Sequence, residues 1–270
     1  MNVIKHYIKC KMKNHMKYNR IVDKEEIPTV SIMGVKIAAI NMEWLLNYLK
    51  KNLSKIKGDY ICVSNVHTTV TSFDDINYSH IQNGGLMAIP DGGPLATVGR
   101  KRGYKNMSRT TGPDLMDEIF KMSESVGYTH FFYGSSEETL KILKEKLEEK
   151  YPNMNIVGMY SPPYRPITEE EDYQIIKMIN NSKADFVWIG LGAPKQEKWM
   201  YDHQGKIVGL MIGVGAGFDY FAGKIKRAPE WMQKHNLEWL YRLWQEPKRL
   251  FKRYLYTNTK FIWHAYVKGE

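Results

Sequence analysis

Asp91 stands in the run Ile89-Pro90-Asp91-Gly92-Gly93-Pro94, just past a short apolar stretch. In α/β folds ligands bind beyond the carboxyl ends of strands, so an aspartate there is placed for catalysis. Asp-Gly is also a common turn pair, and on its own it does no more than shape a loop. The two glycines let a substrate approach the backbone, and Pro94 suits the first turn of a following helix. Asn65 closes the stretch Tyr60 to Ser64, from which its amide can donate to and accept from sugar hydroxyls; capping a helix is the alternative. Arg109, in Ser108-Arg109-Thr110-Thr111-Gly112-Pro113-Asp114, can grip a phosphate through two parallel hydrogen bonds or pair with Asp114 at the surface. Gly190-Leu191-Gly192-Ala193-Pro194-Lys195-Gln196-Glu197 runs from a strand into a helix, a junction whose free N–H groups favour a diphosphate, with Lys195 adding charge.

Other chemistries lack their signatures. Gly213-Val214-Gly215-Ala216-Gly217 does not have GxGxxG spacing, so close packing of backbone is its expected use rather than dinucleotide binding. The eight histidines form no HExxH or close ligand cluster and there is no P-loop, so neither a metal site nor an ATPase is expected. Cys10 and Cys62 lie far apart without CxxC spacing and read as reduced thiols, Cys62 in a buried strand.

The elements that must position these residues follow from periodicity. From about Thr29, short β-rich runs alternate with helical patterns, which predicts an α/β fold with a Rossmann-like, mostly parallel sheet and helices on both faces. The expected strands are Ser31–Ile37, Tyr60–Ser64, Leu86–Pro90, Thr129–Tyr133, Ile156–Met159, Phe186–Leu191 and Ile207–Val214. Asn41 caps a helix whose Met42, Leu45, Leu46, Leu49 and Leu53 repeat with helical spacing. Ser135 or Ser136 starts another, and Thr168 with Glu171 has the spacing of a capping box.

The 270 residues, 43% hydrophobic and 25% charged, suffice for one large domain with appendages. The net charge of +10 sits at the ends: residues 1–20 carry +6, residues 224–260 carry +7 and residues 21–223 carry −3. Basic ends on a mildly acidic body imply attraction to an anionic surface, lipid or nucleic acid; a solvated tail is the bland alternative for the first 20 residues. The longest apolar runs, Phe186 to Ala193 and Gly209 to Phe218, fall short of the roughly 20 residues of a membrane span. The amino end has no secretory pattern, so a cytoplasmic location is expected. Near the carboxyl end a helix from Leu240 to Leu255 places Leu240, Leu243, Leu250, Phe251 and Tyr254 on one arc and Arg242, Lys248, Arg249, Lys252 and Arg253 on the other, with Pro247 starting a second helix or kinking the first. Such a basic amphipathic appendage either docks on lipid or caps the core.

Taken in order, Pro90-Asp91-Gly92, Arg109 to Leu115, Gly190 to Glu197, Gly213 to Asp219 and Arg227-Ala228-Pro229 through Arg242 resemble the WecG/TagA/CpsF glycosyltransferase family over roughly Ser31 to Trp263. The resemblance implies an inverting, metal-independent transfer from a UDP-sugar to a polyprenyl-diphosphate-linked sugar, with no cofactor. It implies Asp91 as general base with Gln196 as its catalytic companion, and Asn65, Arg109, Gly192, Lys195 and Glu197 as substrate-binding residues. Arg227, Arg242, Arg249 and Arg253 are expected to meet lipid headgroups or the acceptor diphosphate. The domain plan that follows is a basic extension at 1–28, a glycosyltransferase core at 29–222 and a membrane-docking appendage at 223–270. The expected partners are the two substrates and an anionic membrane surface, with the protein peripheral on the inner face of the cytoplasmic membrane. No nucleic acid is expected, and self-association into a homo-oligomer is left open. One departure is Val63, where many members have threonine two residues before the asparagine; Ser64 or Thr68 would have to supply that hydroxyl, or the donor differs. Two rival readings are a nucleic-acid-binding α/β protein using the basic ends and a nucleotide-dependent oxidoreductase, the latter opposed by the missing GxGxxG.

Overall fold

Apolar strands that can bury both faces require helices above and below the sheet, and the chain supplies them in alternation. The computed structural model describes residues 26–270; residues 1–25, with Cys10 and most of the expected basic extension, lie outside the described residues. In chain order come β1 (Thr29–Ile32), β2 (Val35–Ala38), α1 (Met42–Ile56), β3 (Tyr60–Ser64), α2 (Val66–Asp74), α3 (Ile76–Gly84), β4 (Met87–Pro90) and α4 (Gly93–Lys101). There follow α5 (Gly112–Val126), β5 (Thr129–Gly134), α6 (Glu137–Lys150), β6 (Asn155–Tyr160), α7 (Glu169–Asn181), β7 (Phe186–Gly190), α8 (Lys195–His203) and β8 (Leu210–Gly213). The last elements are α9 (Gly217–Phe221), α10 (Glu230–Lys234), α11 (Glu238–Gln245), α12 (Pro247–Phe261) and a π-helical turn, Ile262–Lys268.

The sheet order is β1-β2-β4-β3-β8-β7-β5-β6, antiparallel between β1 and β2 and parallel at every other pairing. One apolar cluster holds Leu45 and Leu49 of α1 with Ile119 and Phe120 of α5; the other holds Val70 of α2 with Ile175 of α7 and Met200 of α8. Each fully buried side chain of this kind contributes on the order of 1.5–3 kcal/mol, so the two clusters hold the strand ends in fixed register.

Local signals set the helix starts. Asn41 Oδ1 accepts from Trp44 N at 2.8 Å, Ser136 caps α6, and Thr168 with Glu171 forms the capping box of α7. Pro94 sits in the first turn of α4. The expected strand Ser31–Ile37 is instead a hairpin: Met33 and Gly34 take φ of 50° and 83°, and Ile32 pairs with Val35 across the turn. Positive φ at both turn residues matches the twist of the strands, and Met33 carries no sequence mark of it. The glycines that end β7 and β8 pack closely, since a Cβ on Gly190 would lie 2.6 Å from Phe218 Cδ2 and one on Gly213 2.7 Å from Met200 Cε.

Of the two outcomes that Pro247 allowed between Leu240 and Leu255, a second helix is the one that forms. Glu246, at φ −133° and ψ 57°, separates α11 from α12, and Pro247 opens the second helix. This break resets the helical phase, so the two arcs do not run on as continuous stripes. Arg242 is buried and Arg249 and Arg253 reach a cavity, whereas Leu240, Trp244, Phe251 and Leu255 are exposed and Leu250 is fully buried. Among the described residues no helix is long and apolar enough to cross a membrane.

Candidate active site

The parallel register assembles the site at the carboxyl ends of four strands. Ser64 of β3 lies opposite Pro90 of β4, so the residues that follow, Asn65 and Asp91, emerge side by side. Cys62 of β3 lies opposite Gly213 of β8, which brings the Gly213–Gly215 turn to the other flank of Asn65. β7 ends beside β8 and delivers Gly192. Together they floor a cavity of about 630 Å³ lined by Asn65, Asp91, Arg109, Gly192, Gln196 and Gly215, large enough for a drug-sized ligand.

Asp91 is recessed in that floor. Its N–H donates to Ser64 O at 2.8 Å; Asn65 Nδ2 donates to Oδ2 at 3.4 Å and Gly112 N to Oδ1 at 3.2 Å. Burial pushes its carboxyl up to about 6, against hydrogen bonds from Asn65 and Gly112. A carboxylate with that proton affinity is still mostly ionised at neutral pH and is a stronger base than an ordinary aspartate. Asn65 takes the capping role, its Oδ1 accepting from His67 N at 3.0 Å and Thr68 N at 3.2 Å at the start of α2, while its Nδ2 faces Asp91. The cap fixes which end of the amide meets the carboxylate.

The segment after β8 closes the cavity. Asn236, in the left-handed conformation at φ 60°, lays its side chain against Gly93, where a Cβ would sit 1.6 Å from Asn236 Oδ1. Arg109 Nη1 binds Glu238 at 2.8 Å and Nη2 lies 3.6 Å from Asp114; Arg227 binds Asp114 at 2.5 Å. Burial opposes ionisation of Asp114, but the Arg227 and Thr111 hydrogen bonds hold its carboxyl below the usual range. Arg242, Arg249, Arg253, Trp239 and Tyr254 complete the lining. Nη1 of Arg242 and Nε of Arg253 are buried without a hydrogen-bond partner, so both have donors to offer a ligand. His67, on the same wall, is pushed down to about 4 by burial and by Arg253, so it is neutral.

Three expected contacts fall elsewhere. Lys195 starts α8 and is exposed, outside the cavity lining. Glu197 is fully buried and binds Gln196 Nε2 at 2.8 Å; it turns away from the cavity because consecutive helical residues point about 100° apart. Arg227 stands behind the wall with Asp114 and Gln233. Val63 lies on the wall, and neither neighbouring hydroxyl replaces the one it lacks: Ser64 Oγ donates to Gln82 at 2.6 Å and Thr68 Oγ1 is held within the cap of α2. Sequence reading missed His67, Tyr220, Asn236 and Glu238 on the cavity wall. Asn236 alone left a trace, as an asparagine just past a short helix, where left-handed backbone is common. Among the described residues no three His, Cys, Asp or Glu side chains converge as metal ligands.

The family model described as "Glycosyl transferase WecG/TagA/CpsF family" matches residues 30–269. A relative from Bacillus subtilis (strain 168), the N-acetylglucosaminyldiphosphoundecaprenol N-acetyl-beta-D-mannosaminyltransferase, is 30% identical over 229 residues, covering 84% of this chain and 87% of the relative.

Proposed function

Since the chain belongs to the WecG/TagA/CpsF family and is a glycosyltransferase, we propose that it moves a hexose or N-acetylhexosamine-type sugar from a UDP-sugar to a polyprenyl-diphosphate-linked sugar in cell-surface polysaccharide or teichoic acid synthesis. The relative's name supports this reading, since it specifies a diphosphoundecaprenol acceptor and an N-acetylmannosaminyl group. Asp91 carries the proposal: a base with its carboxyl raised to about 6, recessed where strand ends meet a large cavity.

In this reading the acceptor hydroxyl attacks the anomeric carbon of the donor sugar while Asp91 takes its proton. The bond from that carbon to the diphosphate breaks with its electron pair leaving on UDP, and attack from the opposite face inverts the centre. Arg242, Arg249 and Arg253 lie on the cavity wall where they can meet the diphosphate charge. Asn65 and Gln196 orient the sugars through their amides. Val63 gives the sugar an apolar neighbour in place of a hydroxyl, a difference that bears on which donor is accepted.

The outward face of the last helices, with exposed Trp231, Trp244, Phe251 and Trp263, lies on an anionic membrane in this proposal. That places the protein peripherally on the inner face of the cytoplasmic membrane, where its acceptor resides. A panel of UDP-sugars offered with polyprenyl-diphosphate acceptors tests the reading. Transfer from at least one donor, lost in Asp91→Asn, is the expected result; no transfer with any donor, or full activity of the variant, overturns it.

A further inference from the structure

Behind the cavity floor a chain of buried polar side chains connects its two flanks. Ser64 Oγ donates to Gln82 Oε1 at 2.6 Å, and Gln82 Nε2 donates to the Tyr78 hydroxyl at 3.0 Å. Tyr78 faces the Glu197 carboxyl, whose Oε1 accepts from Gln196 Nε2 at 2.8 Å. Gln196 Oε1 in turn accepts from Gly215 N at 2.9 Å. One end of this chain is the residue whose carbonyl holds the Asp91 N–H; the other is the turn on the far side of the cavity.

The donors and acceptors fix the sense of Gln196. Gly215 presents an N–H, so the amide oxygen must face it, and the amide nitrogen must then face Glu197. Only an acceptor there satisfies it. Gln196 is 3% exposed and Glu197 is 0%, so water cannot stand in. Gly213 leaves no slack, since a Cβ on it would lie 3.1 Å from Gln196 Nε2. Gln196 lines the cavity, and the orientation its amide presents there is the one that Glu197 and Gly215 determine.

We propose that Glu197 is a positioning residue: without touching substrate, it locks the Gln196 amide and the Gly213–Gly215 turn in the orientation that the sugar-binding wall requires. This rests on the glycosyltransfer reading for its effect on rate, but the orientation itself is a property of the free protein. Burial raises the Glu197 carboxyl, favouring the neutral acid, of which glutamine is the close mimic. Glutamine keeps an acceptor for Gln196, whereas leucine removes it at similar volume.

The test compares wild type, Glu197→Gln and Glu197→Leu by two readouts. In the free protein, the Gln196 side-chain amide, followed by ¹⁵N NMR, should keep its shift and slow hydrogen exchange in Glu197→Gln and lose both in Glu197→Leu. In turnover, kcat should fall about tenfold or more in Glu197→Leu, since small misplacements of a positioned group cost factors of that order and above, and stay within about threefold of wild type in Glu197→Gln. An unchanged Gln196 amide in Glu197→Leu overturns the inference. So does wild-type kcat in that variant, or equal impairment of both variants, which would assign the effect to negative charge. If wild type turns over no donor, the transferase substrate reading fails while the NMR comparison still decides the role of Glu197.

Discussion

Replacing Asp91 by asparagine should remove the base and at the same time stabilise the fold at neutral pH. The folded carboxyl holds its proton up to about 6 against an ordinary 3.8. A raised carboxyl binds protons more tightly in the folded than in the unfolded chain, so the sign is fixed. Its ionisation costs nothing below pH about 4, the cost grows as pH rises between the two values, and it is complete above about 6. At about 1.4 kcal/mol per unit, the ceiling on that cost is about 3 kcal/mol. Asparagine removes the charge but returns part of the gain. Gly112 N can still donate to Oδ1, while the new amide nitrogen faces Asn65 Nδ2, which cannot turn because its own oxygen caps α2. That lost hydrogen bond costs about 1 kcal/mol or more. The net is a gain of about 1–2 kcal/mol at pH 8, or a few degrees in Tm for a chain of this size, shrinking to nothing or reversing at pH 4. Thermal melts of both proteins at the two pH values check it. In the transfer assay the variant should lose about 10²–10⁴-fold in kcat, and wild-type kcat/KM should fall below a limb near pH 6. A variant less stable than wild type at pH 8, or a limb near pH 4, would refute the argument that burial makes Asp91 a strengthened base.

Gly93→Ala should force Asn236 away and cost about 1–3 kcal/mol of packing, with transfer down at least about tenfold; Asn236→Gly, which suits the positive φ, should restore much of the activity in the double variant. Arg253→Ala should raise the KM for donor or acceptor by roughly tenfold, as loss of one charge-assisted hydrogen bond implies, with weaker dependence on salt; an unchanged KM removes it from diphosphate binding. Trp244→Ala should lower sedimentation with anionic liposomes by about tenfold, because an exposed tryptophan that enters an interface carries much of its apolar area with it; unchanged binding would move the docking face elsewhere.

Much of the site was legible because it follows from local rules. A strand end followed by Asp-Gly-Gly-Pro locates Asp91, and the cap residues Asn41, Ser136 and Thr168 each announce a helix that forms. What was not legible depends on partners distant in sequence. The pairing of Ser64 with Pro90, which sets Asn65 beside Asp91, is a tertiary register that no local pattern encodes. Gln196 and Glu197 are adjacent on one helix and of similar polarity, and only the packing of α8 decides that the first faces the cavity. Pro247 marked the break between α11 and α12 but not the change of helical phase across it, because the apolar spacing on either side looks continuous. Glu238 gave no sign because its partner, Arg109, lies far away in the chain.

The cavity lining runs from Val63 to Tyr266, so its two walls are separated by most of the chain. Synthesis proceeds from the amino end, and domains fold as they emerge. The strands through β8, with Asp91 just past the end of β4, therefore leave the ribosome ahead of Asn236, Glu238 and the three arginines. Until that segment has folded, the cavity wall opposite Asp91 is missing. A ligand that needs both walls therefore finds its site only once the carboxyl end has been made and has folded against the sheet.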